Sequence, residues 1–166
     1  DGVKAPRVVL AGARDASAKA IRAAVAAGLA ALIGRAVKHL AVSLAGETVA
    51  DIHAEALVLA LEQASYNYTA TKPSAEAVAA PQKVSLLADK AQLPALKTGI
   101  TRGEGIAAGI TLAKSCANLP ANICTPTYLA EQARKLAREF KLDVDVLERR
   151  DMEKLGMGAF LAVTQA

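Results

Sequence analysis

Three short apolar runs along the chain have the composition of buried β-strands. The first is Arg7–Ala11, which is rich in β-branched residues and is followed by Gly12. The other two are His39–Leu44 and Lys83–Ala88. Short runs of this kind, bounded by turn residues, are typical of strands whose two faces are both covered.

Between these runs, apolar residues recur at the spacing of amphipathic helices. Asp15 or Ser17 can cap a first helix, and Gly34 is suited to end it. Its apolar stripe consists of Ile21, Val25, Leu29 and Leu32. A second helix is predicted to open at Thr48, with a stripe formed by Val49, Ile52, Ala56 and Leu59. The alternation of strands and helices predicts an α/β fold, a three-layer and mostly parallel sheet with helices on both faces.

A long helix is predicted over Thr98–Ala117, although it contains four glycines. A glycine inside a helix costs about 1 kcal/mol relative to alanine, so glycines retained there indicate close packing against another element. The four are Gly99, Gly103, Gly105 and Gly109.

The remainder of the chain reads as the start of a second α/β domain. Thr125 and Pro126 are suited to the N-cap and first position of a helix, whose stripe is Leu129, Ala133, Leu136 and Phe140. Leu142–Val146 alternates as a half-exposed strand does. Asp151–Leu155 is predicted to form a short helix ended by Gly156, and Phe160–Val163 to begin a further strand.

Composition argues against a disordered chain, a disulfide-rich protein and a membrane-spanning protein. The 166 residues are 53% hydrophobic, which argues against disorder, and the net charge is +4. Two cysteines do not make a disulfide framework, and no apolar run reaches the ~18 residues of a membrane span. The densest basic patch comprises Arg134, Lys135, Arg138 and Lys141, on the polar side of a predicted helix, where a solvated face is the expected interpretation.

Several residues are of types that occur in catalytic or metal-binding sites, but none is accompanied in the sequence by the other residues that such a site requires. His53 and Glu55 match half of a zinc deaminase signature, whose other half is Cys-x-x-Cys; Cys116 and Cys124 are too far apart in sequence for it. His39 has no cluster of metal ligands nearby. Asp143 and Asp145 share one face of a predicted strand, without a third ligand. The Gly103–Gly109 segment resembles a dinucleotide fingerprint with one residue too many and no preceding strand.

A longer ordered pattern resembles the leucyl (cytosol) aminopeptidases. It consists of Asn118, Pro120, Asn122, Thr125, Pro126, Leu129, Ala130 and Glu131, followed by Gly156, Met157 and Gly158. The resemblance is clearest over Thr101–Val163. It implies that residues 1–97 are part of an N-terminal α/β domain, 98–118 an interdomain helix, and 119–166 the truncated beginning of a catalytic domain.

The resemblance implies a metallo-aminopeptidase that releases N-terminal amino acids, preferably Leu, from peptides. Two divalent metal ions, Mn or Zn, bind the substrate amino group and activate a water in that family. Their ligands follow the segment present here, so no catalytic, metal-binding or cofactor-binding residue is expected in this chain, and the chain alone is expected to be inactive. The resemblance further implies a cytoplasmic homo-oligomer, a hexamer in the family. No membrane partner is expected, and the modest net charge does not favour a nucleic-acid partner.

A different class of function stays open on the residues alone. The α/β domain could be a binding module without catalytic activity, taking a ligand at the ends of its strands, or nucleic acid along the basic face at Arg134–Lys141.

Overall fold

The computed structural model describes residues 4–32, 35–45, 48–72, 74 and 80–163. Their regular elements are α1 (Ala18–Ala30), β1 (His39–Ser43), α2 (Asp51–Ser65), β2 (Lys83–Leu87), a 3-10 turn (Lys90–Gln92), α3 (Leu93–Asn118), α4 (Pro126–Phe140), α5 (Arg149–Lys154) and α6 (Gly158–Ala162). The chain divides into two compact units, Asp1–Asn118 and Leu119–Ala166.

The sheet of the first unit is a parallel pair. His39 of β1 is in register with Lys83 of β2, and Ser43 with Leu87. Because side chains alternate along a strand, one face of the pair carries apolar residues, and these are partly buried. They are Leu40, Val42, Val84 and Leu86. The α/β class and the parallel sheet are therefore confirmed, although the described sheet has two strands and most side chains of its other face are exposed.

The strand prediction for Arg7–Ala11 is wrong. This segment has no regular structure, and the side chains of Val8 and Leu10 are 62% and 93% exposed. A strand exists only through hydrogen bonds to a neighbour, and none of its backbone groups bonds to another backbone group in the described part of the chain. The segment is apolar, as a buried strand is, but composition alone does not determine whether a strand has a neighbour to pair with.

The start of α1 follows its sequence closely. The Ser17 side chain accepts a hydrogen bond from the backbone N–H of Ala20, as an N-cap does. Ile21 and Leu29 of the predicted stripe are buried, and Val25 is half-buried. The predicted helix stop at Gly34 lies outside the described residues.

Helix α2 begins at Asp51, three positions after the predicted start at Thr48. Val49, Ala56 and Leu59 are buried as expected, but the side chain of Ile52 is 44% exposed, so its assignment to the core stripe is wrong. The buried face instead includes His53, Ala54, Leu57 and Ala60. Val49 and Ala54 form a core cluster with Leu96 of α3, against which Leu44 and Leu86 pack.

Helix α3 is longer than predicted, since it starts at Leu93 rather than Thr98. Two of its four glycines meet α2 closely: a Cβ on Gly99 would collide with the backbone of Asp51, and one on Gly103 would lie 2.9 Å from Cβ of Val58. A Cβ on Gly105 or Gly109 would meet nothing within 4 Å. Close packing therefore explains the first pair of glycines and not the second.

In the second unit, local helix signals are confirmed and both strand predictions are wrong. The Thr125 side chain caps α4 by accepting from the N–H of Tyr128 at 3.2 Å, with Pro126 as the first residue. The predicted short helix is α5, and Gly156 follows it with φ +68°. Residues 142–146 have no regular structure, and in the described part of the chain no strand pairs with them. Most of the predicted Phe160–Val163 strand belongs to helix α6. No residue of α4 is buried, and Phe140 of its predicted stripe is 59% exposed.

Candidate functional site

His53 is the most deeply placed polar residue of the described core, with 6% of its surface exposed. Its Nδ1 lies 3.0 Å from the backbone N of Ala50, and its Nε2 lies 2.8 Å from the carbonyl oxygen of Ala16. A backbone N–H can only donate and a carbonyl can only accept. The ring must therefore be neutral, with its proton on Nε2, and both nitrogens are already used. This geometry makes His53 a structural link between the starts of α1 and α2, and leaves no lone pair for a metal.

Glu55, the other residue of the half-signature, is held by Arg102 of α3. Arg102 Nε donates to Glu55 Oε2, and a second guanidinium nitrogen lies 3.2 Å from Asp51 Oδ2. The hydrogen bond to Glu55 is the main cause of the raised pKa of Arg102. Glu55 is thus engaged in an ion pair between α2 and α3, and the sequence echo of a zinc deaminase does not correspond to a site.

His39 has a hydroxyl neighbour on the exposed face of the sheet. Its Nε2 lies 2.9 Å from Ser85 Oγ, and the two residues are 46 positions apart. A distance of 2.9 Å is also that between a nucleophile and its general base in an active site. The pair lies on an exposed strand face, and within the described residues no acidic group is hydrogen-bonded to His39. We interpret the contact as a cross-strand hydrogen bond.

The other candidate site residues do not belong to a cluster of catalytic or metal-binding side chains in the described part of the chain. Cys116 and Cys124 are free thiols of intermediate exposure. Asp143 and Asp145 lie in an exposed segment without strand structure. The Gly103–Gly109 segment lies inside α3, which rules out a phosphate-binding turn after a strand. Across the described ranges, no three His, Cys, Asp or Glu residues come together as metal ligands.

A polar seam between α2 and α3 was not foreseen from the sequence. Glu62, whose side chain is 8% exposed, accepts from Lys114 Nζ at 3.0 Å and from Thr111 Oγ1 at 3.0 Å. Lys114 also lies 4.7 Å from the ring centre of Tyr66. Asn118 Nδ2 donates to the hydroxyl of Tyr66 at 3.0 Å. We call Glu62, Tyr66, Thr111, Lys114 and Asn118 the α2–α3 seam; it fixes the last two turns of α3 to α2.

The α2–α3 seam joins parts of the chain that match two different domains of one known family. The N-terminal domain of the cytosol aminopeptidase family matches residues 1–74, and the catalytic domain of the same family matches residues 111–166. A probable cytosol aminopeptidase of Methylibium petroleiphilum is 54% identical over 164 residues, which is 99% of this chain. The chain belongs to the cytosol aminopeptidase family. Within it, the seam joins Glu62 and Tyr66 of the N-terminal match to residues of the catalytic match.

A second cytosol aminopeptidase relative also aligns with almost the whole chain. A probable cytosol aminopeptidase of Bordetella avium is 42% identical and covers 99% of the chain. The chain spans about a third of the length of these relatives, 34% and 35% of the two named. None of the helices in the described part of the chain combines the length and the apolar character that crossing a bilayer requires.

Solved structures of other proteins share this fold. A tomato leucine aminopeptidase variant has a TM-score of 0.74 at 24% identity, with 90% of this chain and 31% of that one covered. The bottromycin maturation enzyme BotP, in complex with Mn, has a TM-score of 0.62 at 28% identity, with 87% of this chain and 30% of that one covered. The likeness to the tomato enzyme supports the fold alone.

Proposed function

We propose that this chain is the non-catalytic part of an aminopeptidase that releases N-terminal amino acids, preferably Leu, from peptides. In this proposal residues 1–97 belong to the N-terminal domain, 98–118 form the interdomain helix, and 119–166 open the catalytic domain. The observation that carries it is the pair of matches to the two domains of one family, in the order of the chain.

The chemistry is proposed to lie outside the chain. A two-metal hydrolase needs clustered carboxylates or comparable ligands around its ions, and the described residues do not provide such a group. The residues that the structure describes therefore do not fit a metal pair. BotP is described in complex with Mn, which supports a divalent metal ion in the complete enzyme. We propose that this ion is Mn or Zn.

The described residues are suited to a supporting role. Helix α3 has 26 residues, which at 1.5 Å each give a rod of about 39 Å. Its first half is set against α2 through Gly99 and Gly103, and its last two turns through the α2–α3 seam. A helix held at both of its ends is fixed against α2 within the first unit. The complete enzyme is proposed to be a cytoplasmic homo-oligomer, a hexamer.

A chimera tests this proposal. Residues of the Methylibium relative that align with this chain are replaced by the chain itself, and hydrolysis of leucine p-nitroanilide is measured with added Mn²⁺. The chimera should hydrolyse the anilide, whereas the 166-residue chain alone should give no turnover above buffer. Light scattering on the chimera gives its oligomeric state, and a set of aminoacyl anilides gives its residue preference.

The possible failures are distinct. Turnover that co-purifies with the isolated chain would show that its own residues form an active site. A folded chimera that binds Mn²⁺ but does not hydrolyse the anilide would show that this chain does not support the aminopeptidase domain.

A further inference from the structure

The side chain of His53 lies where two helices begin. His53 is the third residue of α2, and its Nδ1 reaches back to the backbone N of Ala50, the N-cap residue of that helix. Its Nε2 reaches the carbonyl oxygen of Ala16, the residue before the N-cap Ser17 of α1. One ring therefore connects the first turns of α1 and α2, and the function proposed above does not use it.

At the third position of α2, histidine takes the role that a capping box gives to glutamate or glutamine. Those residues accept from the N–H of the N-cap residue. A glutamate keeps a carboxylate acceptor down to about pH 4, whereas an ordinary histidine takes up a second ring proton below about pH 6.5. The acceptor for the Ala50 N–H is therefore of a kind that acid removes close to neutral pH.

Protonation of His53 in its present place would set a donor against a donor. An imidazolium has an N–H at both ring nitrogens and no acceptor, and the backbone N–H of Ala50 can only donate. In the described part of the chain, this N–H has no acceptor other than Nδ1 of His53. Uptake of a proton therefore requires the ring to move away from Ala50.

The surroundings of the ring do not stabilise a positive charge. His53 is 6% exposed, and a buried charge needs a partner. The positive ends of two helix dipoles meet at the ring, and Lys19 adds a further positive charge to the first turns of α1. Among the described residues, no carboxylate is hydrogen-bonded to the ring, and the charged groups beside its contacts or on the same turns pair with one another. These pairs are Arg14 with Asp15, and Asp51 and Glu55 with Arg102.

We propose that His53 is a pH-sensitive switch, which holds the start of α1 against the start of α2 while its ring is neutral and releases them when the ring takes up a proton. In the open state, His53 binds a proton as an ordinary histidine does, below about pH 6.5. The closed state binds fewer protons, so it loses stability as the pH falls below that value. The contacts of α2 with α3, at Gly99, Gly103 and the α2–α3 seam, contain no histidine, so the opening is confined to the α1 side of α2.

Hydrogen exchange at the Ala50 amide tests the switch, because this N–H bonds only to the His53 ring in the described chain. Its protection factor, corrected for the pH dependence of intrinsic exchange, is measured by NMR on the ¹⁵N-labelled chain from about pH 7 to about pH 5. One proton taken up on opening changes the equilibrium by at most about tenfold per pH unit, and protection should fall by about tenfold over this range. The amides in the last two turns of α3 should keep their protection.

Two variants assign the effect to His53. H53Q keeps a side-chain acceptor at every pH and carries no charge, so its Ala50 amide should be equally protected at both ends of the range. H39Q removes the other of the two histidines and should respond as the parent chain does. The ring ¹⁵N shifts of His53 in H39Q add a direct reading, which does not depend on the folding of H53Q. They should show a proton on Nε2 and none on Nδ1 at about pH 7.

Three results would overturn the proposal. Constant protection of the Ala50 amide in a chain whose His53 ring becomes charged would mean that the closed state accommodates the imidazolium. The same loss of protection in H53Q would assign the response to another group. A proton on Nδ1 at about pH 7 would mean that the ring does not accept from Ala50.

Discussion

The backbone of Asp51, the first residue of α2, lies where a side chain on Gly99 would have to be. No side-chain movement can relieve this contact, because the obstructing atoms are main-chain atoms at the start of a helix. Helix α3 can approach α2 here only because residue 99 is glycine.

The substitution G99A should therefore destabilise the chain. Overpacking of this kind costs about 1–3 kcal/mol, and it outweighs the ~0.5–1 kcal/mol that alanine gains over glycine in a helix. Urea unfolding followed by circular dichroism measures the difference. The matched controls G105A and G109A meet nothing within 4 Å and should stabilise the chain. Equal effects at all three positions would show that the approach of α3 to α2 is not tight.

The hydrogen bonds of His53 predict a second effect on stability. H53L removes both bonds and leaves the N–H of Ala50 and the carbonyl of Ala16 without their partner. An unsatisfied buried group costs about 1–3 kcal/mol, so the free energy of unfolding should fall by that order. The control H39A lies on the exposed sheet face and should change stability by less than about 0.5 kcal/mol. A similar loss in both variants would contradict the structural role of His53.

The α2–α3 seam should show energetic coupling. A double-mutant cycle with E62Q and K114M measures the Glu62–Lys114 interaction apart from other losses. The Glu62 side chain is 8% exposed and Lys114 is 34% exposed, so we expect coupling toward the upper part of the 0.2–1 kcal/mol range of accessible pairs. The control pair Arg149–Glu153 is 53% exposed on both sides and should couple by a few tenths at most. Coupling no larger than the control would rule out a stabilising seam.

Asp15 predicts a dependence on pH at the start of α1. The hydroxyl and the backbone N–H of Ser17 lower the pKa of the Asp15 carboxyl. A depressed folded-state pKa means that ionised Asp15 stabilises the fold above its unfolded pKa of about 4, and that this contribution is lost as the pH falls further. The melting temperatures of the parent chain and D15N should therefore differ near pH 6 and converge near pH 2. A difference that is constant across this range would exclude the effect.

Local signals in the sequence predicted local structure well. The first helix is predicted to have Asp15 or Ser17 as its N-cap, and α4 to have Thr125, because a side-chain oxygen there can accept from a free N–H of the first turn. Ser17 and Thr125 form the expected hydrogen bond. The parallel pairing of β1 and β2 followed from the strand–helix–strand order. These predictions depend on neighbours within a few residues or on the order of elements.

Predictions failed where the outcome depended on distant partners. The alternation at residues 142–146 predicts a strand, but a strand also needs a neighbour to pair with, and none pairs with this segment among the described residues. The apolar run at Phe160–Val163 was too short to distinguish a strand from a helix. Helix α2 packs against both α1 and α3, and its buried face includes His53 but not Ile52. The Glu62–Lys114 contact joins residues 52 positions apart, and no pattern in a single sequence indicates such a pair.

The pairing of β1 with β2 has a consequence for the order of folding. Contacts between distant parts of a chain carry a loop-closure entropy that grows with the separation, and here His39 and Ser85 are 46 residues apart. Helix α2 lies between them in sequence and supplies Ala54 to the cluster on which Leu86 packs. Helix formation shortens the free loop before the strands meet, so the sheet should gain protection from hydrogen exchange only after α2 has done so.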